Sequence, residues 1–264
     1  MAFGLLAATP GAGDAVAQSR PADPGPAARE VRSVGETRLH DFAAKWMMQQ
    51  DDLAEMGVYA AANRALPEPS RPRVVLMGDS IFYHWTAEER PAPAWMEVVN
   101  RAIPGQNSSQ MLLRFEDDVV ALKPSAVVIL AGTNDLRVYA GEPAAARASV
   151  LARLERNVSA MADIADARRI EVVICAIPPF GADSQGLQRD PATLRAADDW
   201  LAAFATSRGY RFVDSYKALA DGEGSLPASL SADGLHPNAE GYRRLWPELE
   251  SALARLGLRP AAAP

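Results

Sequence analysis

Ser80 stands in the segment Gly78-Asp79-Ser80-Ile81. A serine hydroxyl is a poor nucleophile until a base takes its proton. The chain has three histidines to supply that base: His40, His84 and His236. His236 has Asp233 three residues before it, in Asp233-Gly234-Leu235-His236-Pro237-Asn238. A turn of that spacing can set the carboxylate against one ring nitrogen and leave the other to face a nucleophile. His40 falls in a presumed N-terminal helix, and His84 is placed for a pocket rim. Taken alone, Gly-Asp-Ser reads as a helix cap or turn, and Asp-x-x-His as an incidental loop.

Two further segments bear on the same chemistry. In Gly132-Thr133-Asn134-Asp135, the Asn134 side-chain N–H can donate to a developing oxyanion. Gly105 can offer a backbone N–H where a side chain would obstruct a substrate. Each also has a plain reading, Gly105 as a turn glycine and Asn134 as a cap. Asp79 adjoins the nucleophile and cannot readily orient His236 from there, so it is assigned to holding the loop.

These residues follow short apolar runs that read as strands buried on both faces. The runs are Val74–Met77, Val98–Val99, Ala126–Leu130, Val172–Ile177 and Tyr210–Val213. Helical stripes lie between and after them: Met111, Phe115, Val119 and Leu122; Leu151, Leu154, Val158, Met161 and Ile164; Tyr242, Leu245, Leu249, Leu253 and Leu256. Pro247 is expected to kink or restart the last helix. A further helix is expected over about 39–65, interrupted near Gly57. Alternating strands and helices predict a parallel sheet covered on both faces. In such sheets ligands bind beyond the carboxyl ends of the strands, where the polar segments fall.

Gly78-Asp79-Ser80, Gly105, Gly132-Thr133-Asn134-Asp135 and Asp233 to Asn238 are, in order, the four blocks of the SGNH (GDSL) hydrolase family. The sequence resembles that family from about Arg73 to Leu256. The segment Asn100 to Gln106, followed by Gln110-Met111-Leu112, is similar to its platelet-activating-factor-acetylhydrolase-like and carbohydrate-acetylesterase branch. The resemblance implies a flavodoxin-like three-layer α/β/α sandwich with a five-stranded parallel sheet. It implies Ser80 as nucleophile, Asp233 and His236 completing a triad, and an oxyanion hole from the Ser80 and Gly105 backbone N–H groups with the Asn134 side chain. It implies no cofactor. The branch usually has a small hydroxyl residue and then Asp after Gly-Asp-Ser-Ile, whereas this chain has Phe82-Tyr83-His84-Trp85. Asp79, Phe82, Tyr83, His84 and Trp85 are therefore the candidates for shaping substrate entry. Helix-face packing is the plain reading of the aromatics.

The expected activity is hydrolysis of a small ester, acetyl foremost, on a small alcohol or glycan. A lysophospholipase or thioesterase is one rival, and a non-catalytic carbohydrate-binding protein on the same fold another. A nucleotide-binding flavodoxin-like protein is a third. No Walker A or Gly-x-Gly-x-x-Gly follows a strand, and position 82 lacks the glycine that Gly-x-Ser-x-Gly needs. The histidines and Cys175 are too scattered for a metal site. A net charge of −6 gives no reason to expect nucleic acid. Arg71, Arg73, Arg168 and Arg169 read as solvated charge at element ends. Cys175, the only cysteine, lies in an apolar run and reads as a buried hydrophobe.

Residues 1–35 read as a signal-peptide remnant or disordered tail, and 36–264 as one catalytic domain with an N-terminal helix. The run Phe3 to Ala8 and the small-x-small Ala15-Val16-Ala17 lead to the expectation of export. No segment is long and apolar enough to span a bilayer.

Overall fold

The computed structural model describes residues 52–137, 144–181 and 189–258. The chain divides into two units, Met1–Met48 and Gln49–Pro264, and the described residues all fall in the second. The expected export signal, the front of the N-terminal helix and His40 lie outside the described residues.

Five strands form one wholly parallel sheet: β1 (Arg73–Met77), β2 (Glu97–Asn100), β3 (Ala126–Ile129), β4 (Glu171–Cys175) and β5 (Arg211–Val213). Their spatial order is β2-β1-β3-β4-β5. Val75 of β1 stands opposite Val99 on one side and Val127 on the other.

Alternate side chains of each strand point to opposite faces, and two separate apolar cores result. Val75, Met77, Val127, Ile129, Val172 and Ile174 face one core. Val74, Leu76, Ala126, Val128, Val173 and Cys175 face the other. The first core is covered by α3 (Ser108–Leu113), α4 (Phe115–Asp118), α5 (Ala144–Ala167) and α6 (Pro191–Arg208). The second is covered by α2 (Ser80–Tyr83), α7 (Ser215–Leu219) and α8 (Ala239–Ala254). This is the expected three-layer α/β/α arrangement. Helix α1 (Gly57–Ala65) buries no residue of its own. It is tied on by the Tyr59 hydroxyl, which donates to the Ala102 carbonyl at 2.6 Å. No helix among the described residues is long and apolar enough to cross a membrane.

The stripe Met111, Phe115, Val119 and Leu122 is buried as its spacing requires, but its helix is broken. Arg114 (φ −100°, ψ 5°) separates α3 from α4, and Val119 (φ −123°, ψ −67°) separates α4 from a 3₁₀ turn over Val120–Leu122. The Arg114 side chain at the break is fully buried and turned in toward the loops at the strand ends. Helix α8, by contrast, runs through Pro247 without restarting. Pro247 is on the exposed side, so the carbonyl freed by its missing N–H meets water, while Tyr242, Leu245, Trp246 and Leu249 pin the helix from beneath. Arg73 is another correction. It is not solvated but 2% exposed. Its Nε meets Glu97 at 2.8 Å, and its terminal nitrogens donate to the Leu122 and Pro67 carbonyls at 2.7 Å each. Cys175 is buried, and burial pushes its thiol up to about 12.

Candidate active site

Sheet order reverses between β1 and β3, and a crevice forms where chains leaving neighbouring strands turn to opposite faces. Ser80 follows β1 and Asn134 follows β3, so both lie at that crevice. Asp79, two residues past β1, is extended and caps the next helix, accepting from the Ile81 N–H at 2.9 Å. Such a cap contributes about 1 kcal/mol and puts Ser80 in the first turn of α2. Ser80 is 8% exposed.

The segment before α8 brings the base. Asn238 caps that helix, accepting from the Glu240 and Gly241 N–H groups at 3.0 and 3.1 Å. Ahead of it, Asp233 Oδ1 accepts from the Leu235 and His236 backbone N–H groups at 2.9 and 2.8 Å. That leaves Oδ2 to meet His236 Nδ1 at 2.6 Å. His236 Nε2 stands 2.9 Å from Ser80 Oγ. Burial works against charge on Asp233. The hydrogen bonds from the His236 ring and from the two backbone N–H groups outweigh it and hold the carboxyl well below the usual range. An ionised Asp233 requires a proton on Nδ1, and Nε2 then has its lone pair toward the serine. The arrangement can take a proton from the Ser80 hydroxyl and stabilise the imidazolium that forms.

Gly105 occupies the third position of a turn, Ile103-Pro104-Gly105-Gln106, closed by the Gln106 N–H on the Ile103 carbonyl at 3.4 Å. Proline second and a third residue at φ +82° are the marks of a type II turn, which selects glycine. A methyl group at Gly105 would meet nothing within 4 Å, so this turn opens onto free space. Neither the Ser80 nor the Gly105 N–H has an acceptor among the described residues. The Ile103 N–H donates to the Gly78 carbonyl at 3.0 Å, which holds the two loops together. Asn134 joins them: its Nδ2 donates to the Gln106 carbonyl at 3.0 Å and to Asp79 Oδ2 at 3.3 Å. The longer of these bonds is the weaker one.

Asp79 is fully buried, and burial pushes its carboxyl up to about 6 against the Ile81 hydrogen bond. Its carboxyl accepts from the Ile81 N–H and from Asn134, and it offers no surface to a substrate. Phe82 and Trp85 are not at the entrance. They are 1% and 2% exposed, because aromatic rings of this size gain most by burial. Trp85 stacks on Tyr242 at 5.6 Å and meets Trp246 edge-on at 6.2 Å. Tyr83 and His84 face outward, and the His84 ring packs edge-on against His236 with centroids 5.2 Å apart.

Two supports escaped the sequence reading. Arg114 Nε donates to Gln106 Oε1 at 2.6 Å, Nη1 to the Arg101 carbonyl at 2.5 Å, and Nη2 to the Gly78 carbonyl at 3.3 Å. Nη1 also meets Asp118 at 3.0 Å. Asp135 accepts from the Ser108 N–H and hydroxyl at 2.9 and 2.5 Å, tying the β3 loop to α3. The spacing of Arg114 and Asp118, four apart, was the available signal; nothing local marked it as buried.

Gly132 opens the β3 loop at φ +126°, and an added Cβ would fall 2.3 Å from Ile177 Cδ1. Gly132→Ala is expected to cost roughly 1–3 kcal/mol through strain and overpacking. A lowered denaturant midpoint, with kcat reduced because Asn134 is displaced, is the result to measure; an unchanged midpoint would contradict it.

A model of the GDSL-like lipase/acylhydrolase family matches residues 76–244. Esterase TesA of Pseudomonas aeruginosa is 28% identical over 163 residues, 59% of this chain and 71% of that protein. An acetylxylan esterase of Geobacillus stearothermophilus is 28% identical over 152 residues, 56% of this chain and 67% of that one. Among solved structures, a GDSL-like lipase from Bacteroides thetaiotaomicron superposes with a TM-score of 0.67 at 30% identity. That match covers 78% of this chain and all of the other.

Proposed function

Since this chain belongs to the GDSL-like lipase/acylhydrolase family and is a carboxylic-ester hydrolase, we propose that it removes small acyl groups, acetyl foremost, from a carbohydrate alcohol through an acyl-enzyme on Ser80. The observation that carries the mechanism is His236, whose two ring nitrogens meet Ser80 Oγ at 2.9 Å and Asp233 at 2.6 Å. The acetylxylan esterase among the relatives supports the choice of acyl group and alcohol.

In the first half-reaction Ser80 Oγ bonds to the acyl carbon and its proton passes to His236 Nε2. The carbonyl oxygen becomes an oxyanion, received by the Ser80 and Gly105 N–H groups and the Asn134 side chain. The alcohol oxygen then leaves with the proton from Nε2. Water repeats the sequence on the acyl-serine, giving the carboxylic acid and free Ser80. The residues at the N-terminus that have the form of an export signal fit a substrate outside the cytoplasm.

An acyl series from acetyl to octanoyl on 4-nitrophenol, together with acetylated xylose and lysophosphatidylcholine, tests the substrate reading. Acetyl and acetyl-sugar turnover is expected to dominate. A kcat/KM that climbs with chain length would assign the enzyme to lipid-like esters instead.

The pH profile tests the carboxylates of the site. Asp233 keeps its charge below the ordinary carboxylate range, whereas burial pushes the Asp79 carboxyl, which accepts from Asn134, up to about 6. Acidification through that region is expected to neutralise Asp79, weaken its hold on Asn134 and lower kcat/KM, and Asp79→Asn should remove that part of the fall. A profile that Asp79→Asn leaves unchanged would show that this carboxyl does not shape it.

A further inference from the structure

Arg189, two residues ahead of α6, is 8% exposed. Its Nε donates to the Thr133 carbonyl at 3.3 Å, and its guanidinium lies 4.9 Å from the centre of the Phe180 ring. Its two terminal nitrogens, Nη1 and Nη2, have no hydrogen-bond partner among the described residues. The other buried arginines are satisfied. Arg73 meets Glu97, Arg114 meets Asp118, and Arg101 donates to Asn63 and to the Asn100 carbonyl. Burial first, and the positive charge of Arg137 second, work against charge on Arg189, while Asp79 favours it. Asp79 itself is engaged by the Ile81 N–H and by Asn134. A guanidinium stays protonated even so, and a buried charge without a partner calls for an anion.

The place of this fork gives the anion a role. Thr133, which holds Arg189, immediately precedes Asn134. Phe180, beneath the guanidinium, precedes Gly181, whose N–H donates to the Gly234 carbonyl at 2.7 Å in the segment of Asp233 and His236. Arg189 therefore stands between the loop that carries Asn134 and the loop that braces the base. Two N–H₂ groups in one plane match the two oxygens of a carboxylate.

We propose that Arg189 is a specificity-determining residue whose terminal nitrogens bind a carboxylate carried by the substrate, so that the preferred esters are acidic, an O-acetylated sugar acid being the type. This rests on the ester hydrolysis proposed above and narrows it. The reaction that supplies such a substrate must leave a carboxylate and an acyl group on one small molecule or chain end.

Two matched pairs test it by kcat/KM. Mono-4-nitrophenyl glutarate against its methyl ester puts the charge on the acyl side. Acetylated methyl glucuronoside against acetylated methyl glucoside puts it on the alcohol side. At least one pair is expected to favour the anion by about tenfold or more, with that ratio falling toward one in Arg189→Gln and falling less in Arg189→Lys. Ratios of one or below in both pairs overturn the inference, as does a ratio that survives in folded Arg189→Gln. Should neither variant fold, glucuronate must inhibit the wild-type enzyme about tenfold more strongly than glucose, and equal inhibition overturns the inference. Turnover of all four esters without preference refutes the acidic substrate alone. Turnover of none refutes the ester reading and this inference together.

Discussion

Ser80→Ala is expected to lower kcat by roughly a million-fold while leaving the fold intact. Among the described residues the Ser80 side chain has one polar partner, the His236 ring at 2.9 Å. Deleting its oxygen therefore strands little, and the Asp79 cap on α2 is untouched. His236→Ala should cost a similar factor. The double variant should be scarcely worse than either, because base and nucleophile act in one step. The measurement is kcat on 4-nitrophenyl acetate with circular dichroism as the control for folding. Activity within about tenfold of wild type would be too much for an oxyanion hole and binding alone, and Ser80 would not be the nucleophile.

Arg114→Met carries the largest expected effect on stability, about 3–5 kcal/mol, the usual consequence of removing one partner from a buried ion pair. Asp118, 1% exposed, would lose the cation four residues before it. Gln106 Oε1 and the Arg101 carbonyl would lose their donor together, while the Gly78 carbonyl would keep the Ile103 N–H. For a chain of this size the melting temperature should fall by about 10 °C or more. Adding Asp118→Asn should recover part of the loss by removing the stranded charge, although Asn63 also donates to Asp118, at 2.6 Å. A single variant that melts with the wild type, or a double variant worse than the sum of its parts, would show that the pair contributes nothing. Activity should suffer beyond stability, since Gly78 and Gln106 flank Ser80 and Gly105.

All five strands were legible as short apolar runs ended by Gly, Asn, Asp or Pro, because a strand covered on both faces has no polar face to interrupt it. The triad segment was legible because Asp233 and His236 lie three apart in one turn. Helix α6 was not singled out. Its buried positions are largely small, Thr193, Ala197 and Ala205 beside Leu194 and Leu201, so its apolar stripe is faint. Its ends were written plainly, with Asp190 capping, Pro191 first and Gly209 at φ +73° closing. Phe82 and Trp85 looked like an entrance because neighbours of a nucleophile invite that reading. What decides their place is α8, more than 150 residues on, whose Tyr242 and Trp246 receive Trp85. Arg73, Arg114 and Arg189 were hidden for a similar reason: a buried arginine is recognised by partners that are distant in sequence, or by their lack.

Ser80 and His236 are 156 residues apart, one just after β1 and the other at the entrance to the final described helix. A growing chain thus carries the hydroxyl through most of its synthesis before His236 has been added. Bringing the two together closes most of the domain into one loop, and the entropic cost of that closure is met only once the sheet is complete. On the mechanism proposed above, the Ser80 hydroxyl stays inert on the ribosome and in partly folded chains. Esterase activity in this protein is accordingly a report on the finished tertiary structure.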